Sequence, residues 1–168
     1  MAENRRFLRT AAFWVLAVIL ADQFSKMWVL QNLQLGDGFA VTSWFNMVRV
    51  HNTGAAFSFL ADAGGWQRWG FVMLALAASV WMAWMMRQHT HEKAFVASLA
   101  LIMGGALANA IDRLWLGYVV DFIDLHATWL SGLFVGGHYP AFNLADSAIT
   151  LGVVLMIGDE LRRWLRSR

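Results

Sequence analysis

The chain has 168 residues, 59% of them hydrophobic and only 14% charged, with a formal net charge of +2. Soluble domains carry about 25% charged residues, so the composition excludes an ordinary water-soluble domain and makes lipid the main solvent. The absence of cysteine excludes disulfides, thiolate catalysis and Cys-ligated zinc, and basic residues that border apolar runs without forming one patch exclude a nucleic-acid surface.

Arg5, Arg6 and Arg9 precede the first of four apolar segments, at about 7–30, 69–86, 94–116 and 141–164. A spanning helix needs roughly 20 such residues. Basic residues before an apolar run also suit a cleaved leader, but the pattern continues past Asp22 to Leu30, as a helix with one polar face does. The N-terminal arm, the loop from Arg87 to Lys93 and the tail bearing Arg162, Arg163, Arg166 and Arg168 hold nine of the 13 Lys and Arg residues. Four spans bring all three to one side, and the positive-inside rule makes that side cytoplasmic. Trp28, Trp66, Trp69, Trp84, Trp115 and Trp164 fall near the expected boundaries, where an interfacial belt belongs.

The connections 31–68 and 117–140 then lie outside. Between Phe39 and Phe59 the first is rich in Phe, Val, Trp and Thr with partial alternation, which predicts two short strands. The second carries Gly132, Gly136, Gly137 and Pro140 and reads as a flexible loop. The expectation is an all-α membrane protein, a single unit over 1–168 with four transmembrane helices and a small β-containing extracytoplasmic segment. No internal repeat of the transporter kind is visible.

Ionisable residues inside apolar spans are costly and are functional candidates. Asp22, Ser25 and Lys26 share one face of the first helix at i, i+3 and i+4; an internal ion pair that braces a site and a direct active-site role are both open. Asn109, Asp112 and Arg113 repeat that spacing on the third segment, after Gly104, Gly105, Ala106 and Ala108, which permit close helix approach. A structural Asp112–Arg113 network competes there with a functional one. Arg113 cannot deprotonate, which suits it to orienting or clamping backbone.

Two further carboxylates stand out. Asp121 follows the third segment and Asp146 lies one to two turns into the fourth, so both reach similar depth from the same side. Two aspartates in one weakly solvated pocket cannot both ionise easily and share a proton. The ionised member can then take a proton from water while the protonated one polarises a peptide carbonyl, which is general acid–base hydrolysis. A proton or ion pathway uses the same residue types. His89 and His91 form a pair in the cytoplasmic loop without further ligands. His51, His126 and His138 are too scattered in sequence to argue for zinc, and Ser25, Ser58 and Ser147 lack a nucleophile elbow or paired His.

Five blocks then align with one family: Asp22-Gln23-Phe24-Ser25-Lys26, Asn52-Thr53-Gly54-Ala55-Ala56-Phe57, Gly104 through Arg113, Val119-Val120-Asp121-Phe122 and Phe142-Asn143-Leu144-Ala145-Asp146-Ser147. In that order the chain resembles the lipoprotein signal peptidase (signal peptidase II) family over essentially its whole length. The resemblance implies an aspartic endopeptidase of the bacterial inner membrane that removes signal peptides from diacylglyceryl-modified prolipoproteins, cutting just before the lipid-modified cysteine. It implies Asp121 and Asp146 as the catalytic dyad. Asn52, Gly54, Asn109, Arg113 and Asn143 become pocket residues, with Asp22, Lys26 and Asp112 in support. It also implies no metal or organic cofactor, membrane lipids as partners, and sensitivity to the cyclic peptide globomycin. Ala108 stands where the family often has glycine, and a glycine-bearing segment at 131–137 lengthens the interval between the two aspartates. Asp124 is a rival to Asp121, but the Val-Val-Asp block favours Asp121. The residues from Asn52 to Phe59 are expected to close over the site. The alternative from another class is a small proton-coupled transporter or channel subunit, against which the cytoplasmic halves of the helices offer no polar relay.

Overall fold

A computed structural model describes residues 2–54 and 65–167 of the chain. Among these residues it is mostly helical: α1 (Ala2–Asn32), α2 (Trp66–Gln88), α3 (Lys93–Trp115) and α4 (Leu144–Arg166) enclose a core, with a small sheet at one end. The elements follow the expected segments closely. The largest shift is at α1, which begins at Ala2 and not at 7, while α4 begins at Leu144 and not at 141 because Asn143 caps it with a reciprocal side-chain box.

Among the described residues, three helices are long and apolar enough to cross a membrane: Leu8–Asn32, Trp66–Gln88 and Lys93–Trp115. α4 matches their length but carries Asp146 near its start and Asp159, Glu160, Arg162 and Arg163 near its end. Large apolar side chains such as Phe24, Leu74, Val80 and Ile157 face outward, an arrangement that suits lipid tails and would be untenable in water.

α3 is the central helix, packed on the other three. Its glycines make this possible. A Cβ at Gly104 would come within 2.9 Å of Val18 on α1, and one at Gly105 would overlap the Ala145 carbonyl oxygen on α4. From the other side, a Cβ at Gly152 would come within 2.7 Å of the Ser98 carbonyl oxygen. Removing side chains at such crossings brings backbones together and replaces the hydrophobic drive that lipid cannot supply. Ala108, fully buried, keeps the same spacing.

Arg68, at the start of α2, donates to the Leu114 carbonyl at the end of α3 at 2.7 Å, while Arg163 near the end of α4 pairs with Glu92 at the start of α3. The helices therefore alternate in direction. One end is filled by Ala11, Met82, Met86, Val96, Leu99 and Ala100; at the other, Val29 packs against Val120 and Phe122 of the sheet.

That sheet is antiparallel, in the order β1 (Gly38–Ala40), β2 (Phe45–Asn52), β3 (Val119–Leu125). β1 and β2 are the two expected strands. β3 is a correction: the connection after α3 reads as a loop in sequence, yet its first part is a largely buried strand paired to β2. Val119, Val120, Asp121 and Phe122 are all buried, so the strand lacks the alternation of apolar and polar residues that marks a half-exposed one. Later residues of the connection form 3₁₀ turns at Thr128–Gly132 and Val135–Gly137. Residues 55–64, which include Ser58 and most of the expected closing segment, lie outside the described residues.

Candidate active site

The site sits where the C-terminal ends of α1 and α3, the start of α4 and strand β3 meet. It is assembled in two layers, an ion-pair frame below and a carboxylate pair above.

The frame centres on Lys26, which is 2% exposed. Its ammonium contacts Asp22 at 2.7 Å, Asp112 at 2.8 Å and the side-chain oxygen of Asn109 at 2.8 Å. Each acid spends a remaining lone pair on backbone from another element: Asp22 accepts from Ala145 N at 2.9 Å, and Asp112 from Val120 N at 3.2 Å. One buried cation thus ties α1, α3, β3 and α4 together. A buried charge is tolerable only with such complete pairing. Gln23 adds bonds to Asp112 at 2.7 Å and to the Ala108 carbonyl at 3.2 Å. The sequence reading gave Gln23 no role, although it lies inside the first aligned block. Among the described residues, Ser25 bonds the Asp22 carbonyl within its own helix and makes no bond to the frame's side chains.

Above it, Asn143 joins the two key carboxylates. Its Nδ2 donates to Asp121 at 2.7 Å and to Asn109 Oδ1 at 3.2 Å, while its Oδ1 accepts from Asp146 N at 2.9 Å. Asp146 in turn accepts from Asn109 Nδ2 at 2.8 Å and from Asn143 N at 3.3 Å. Asn52, on β2, donates to the second oxygen of Asp121 at 3.0 Å and accepts from Gly54 N at 3.0 Å. Burial, followed by the nearby charge of Asp146, pushes the Asp121 carboxyl up to about 7.

Asp121, Asp146, Asn52, Asn109 and Arg113 all line one cavity of about 300 Å³, walled by Tyr139 and Phe142. A second, apolar cavity of about 530 Å³ shares Asp146, Tyr139 and Phe142 and runs along α4 past Thr150 to Val154. The aromatic pair was not foreseen, because nothing in the local pattern distinguishes it from packing residues.

Arg113 acts on backbone, donating to the Gly54 carbonyl at 2.6 Å and the Asn109 carbonyl at 3.3 Å, with its guanidinium 4.9 Å from the Phe71 ring centroid. No Asp112–Arg113 ion pair forms. Neighbours in a helix point about 100° apart, and Asp112 faces Lys26 instead. Asp124, the rival carboxylate, does not line the 300 Å³ cavity. It accepts from Asn46 at 2.8 Å and lies 2.9 Å from His138. His126 stacks beside His138, with centroids 4.8 Å apart, so two histidines that are scattered in sequence are neighbours in space. His51 stacks on Tyr118.

Fold and site together define a multi-pass membrane protein with a buried carboxylate pair at one end of its bundle, the equipment of an aspartate-dependent hydrolase. The family model described as Signal peptidase (SPase) II matches residues 14–162, and the chain belongs to that family. It is accordingly a peptidase. A "Lipoprotein signal peptidase" of Burkholderia multivorans is 53% identical over 148 residues, covering 88% of this chain and 85% of that protein. One from Burkholderia cenocepacia is 52% identical over 154 residues, covering 91% and 88%. A solved structure described as "Bacterial membrane enzyme structure by the in meso method at 2.3 A resolution" superposes with a TM-score of 0.83 at 28% identity, covering 96% of this chain and 93% of that one. These likenesses favour the peptidase and lend nothing to the transporter reading.

Proposed function

We propose that this chain removes the signal peptide from diacylglyceryl-modified prolipoproteins, cutting just before the lipid-modified cysteine, with Asp121 and Asp146 as its catalytic dyad. The observation that carries the reading is Asn143, which bonds both aspartates and so holds them at one cavity. The pair is read as sharing one proton, with burial and the charge of Asp146 pushing the Asp121 carboxyl up to about 7. Asp146 then takes a proton from a water as that oxygen attacks the scissile carbonyl carbon. Asp121 supports the developing oxyanion, and a proton passes to the departing amide nitrogen as the C–N bond breaks.

A helical substrate must unwind to present that bond, since helical carbonyls are already hydrogen-bonded. Asn109 and Asn143 beside the carboxylates are the groups read as satisfying the freed backbone, and Asn109 lines the cavity. The apolar cavity along α4 suits an acyl chain of the modified cysteine, and globomycin-type peptides are proposed to compete for the same space. The whole chain is read as one domain with four spans, residing in the inner membrane with both termini cytoplasmic. Support comes from the 23-residue length of α4, about 35 Å at 1.5 Å per residue, and from the three basic clusters that this arrangement gathers on one face.

The test is Asp121→Asn and Asp146→Asn, made separately in purified enzyme and assayed by gel shift of one lipid-modified prolipoprotein. Each is expected to lower turnover by about 10²–10⁴-fold or more while the thermal transition persists. Turnover near wild type in either variant removes that residue from the dyad.

A further inference from the structure

Asp124 and His126 lie two residues apart on an extended stretch and so project to the same face. His138 is the antiparallel bridge partner of His126, which puts its side chain on that face as well. The backbone here is tightly specified. Ala127 N bonds the Gly137 carbonyl at 3.0 Å, and Tyr139 N bonds the Leu125 carbonyl at 2.8 Å. Gly137 has φ +76, and a Cβ there would come within 2.6 Å of the Ala127 carbonyl oxygen; only glycine brings the two segments this close. One donor atom each from Asp124, His126 and His138 therefore falls within 4.8 Å of the others.

An ion pair between Asp124 and His138 explains only part of this cluster. His126 Nδ1 is buried and has no hydrogen-bond partner among the described residues, a condition that buried polar atoms seldom tolerate. The Asp124 carboxylate is also oriented from behind by Asn46 at 2.8 Å, as outer partners orient metal-ligating carboxylates.

We propose that Asp124, His126 and His138 form a binding site for a divalent transition-metal ion of the zinc type, separate from the carboxylate pair. Two imidazoles and one carboxylate are a donor set that Zn²⁺ accepts, with a fourth position left to water. Bonds of about 2.0–2.2 Å require the three atoms to draw closer, and His138 lies at the exposed edge where a side-chain rotation achieves this. The bound ion clips residues 138–142 to β3. Because Tyr139 and Phe142 of that strap wall the cavity beside Asp121, the clip stiffens the mouth of the site without taking part in its chemistry.

The experiment is titration of tag-free, detergent-solubilised full-length protein with Zn²⁺, followed by calorimetry and thermal melting, with Co²⁺ absorption as a spectroscopic second readout. Wild type is expected to take up one Zn²⁺ per chain and to melt higher with it, since a ligand of the folded state stabilises that state. His126→Ala and His138→Gln should lose both the uptake and the melting shift. His89→Gln with His91→Gln, and separately Asp146→Asn, should retain them. His138 is exposed, so His138→Gln decides the matter even if His126→Ala fails to fold. Absence of stoichiometric uptake by wild type, or undiminished uptake by folded His138→Gln, overturns the proposal.

Discussion

At the scale of single residues, the protonation of Asp121 links chemistry to stability. The folded protein holds that proton up to about 7, whereas an unfolded chain releases it near the group's ordinary value of 3.8. Between those values the folded state binds more protons, so this group's contribution to stability falls as pH rises through the window and is flat above it. Denaturation of wild type should show that decline, and Asp121→Asn should lack it; an identical slope in the variant would assign the effect elsewhere. Activity should fall on the alkaline side of about 7, because a dyad with both members ionised has no proton to give. Lys26 illustrates the opposite logic. Lys26→Met leaves Asp22 and Asp112 buried without their cation, and a loss of about 3–5 kcal/mol is expected in denaturant titration. A change below about 1 kcal/mol, typical of a surface pair, would mean that the frame is not structural.

At the scale of elements, the reactive geometry depends on how closely α4 approaches α3. Gly105 lies against the Ala145 carbonyl, one residue before Asp146. Gly105→Ala forces α4 outward at the point where it carries a dyad member, and misplacement by about 1 Å can cost on the order of 10²-fold in rate. The contrast is Gly158, where an added Cβ meets nothing within 4 Å. Gly158→Ala should leave cleavage unchanged and add about 0.5–1 kcal/mol of helix stability. Steady-state kinetics beside melting curves distinguish the two, and equal effects from both substitutions would refute the close-approach argument. β3 belongs to this scale too: the same run places Asp121 at the cavity and gives Val120 N to Asp112, so sheet and frame cannot shift independently.

At the scale of the molecule, the proposed topology gathers the basic clusters on one face and the carboxylates near the other. A chain without cysteine permits a direct check by single-cysteine labelling. Gln34→Cys, in the exposed turn after α1, should react with an impermeant maleimide applied to intact spheroplasts. Ser167→Cys, beyond α4, should react only after permeabilisation. Labelling of both from outside would place the termini on opposite sides of the membrane and require an odd number of spans.

Sequence alone determined the solvent, the helical segments and the aspartates worth watching. Long apolar runs, basic flanks and ionisable groups in costly surroundings are local properties that survive being read in one dimension. It also suggested that Asp22 and Lys26 pair, because a helix repeat brings i and i+4 together whatever the fold. Tertiary structure alone decided the rest. Asp112 turns to Lys26 and not to Arg113, since its partner comes from α1. β3 reads as a loop until β2 supplies its hydrogen bonds, and Tyr139 and Phe142 acquire meaning only as walls of a cavity. Asn143 is the clearest case: it falls inside the expected fourth segment and gains a pocket role there only through the resemblance, whereas its grip on Asp121, 22 residues earlier, requires β3 and α4 to meet. His126 and His138 likewise become neighbours through an antiparallel bridge that neither residue encodes by itself. Contacts between distant segments depend on how elements pack, and that information is spread over the glycines, caps and buried pairs that set the packing.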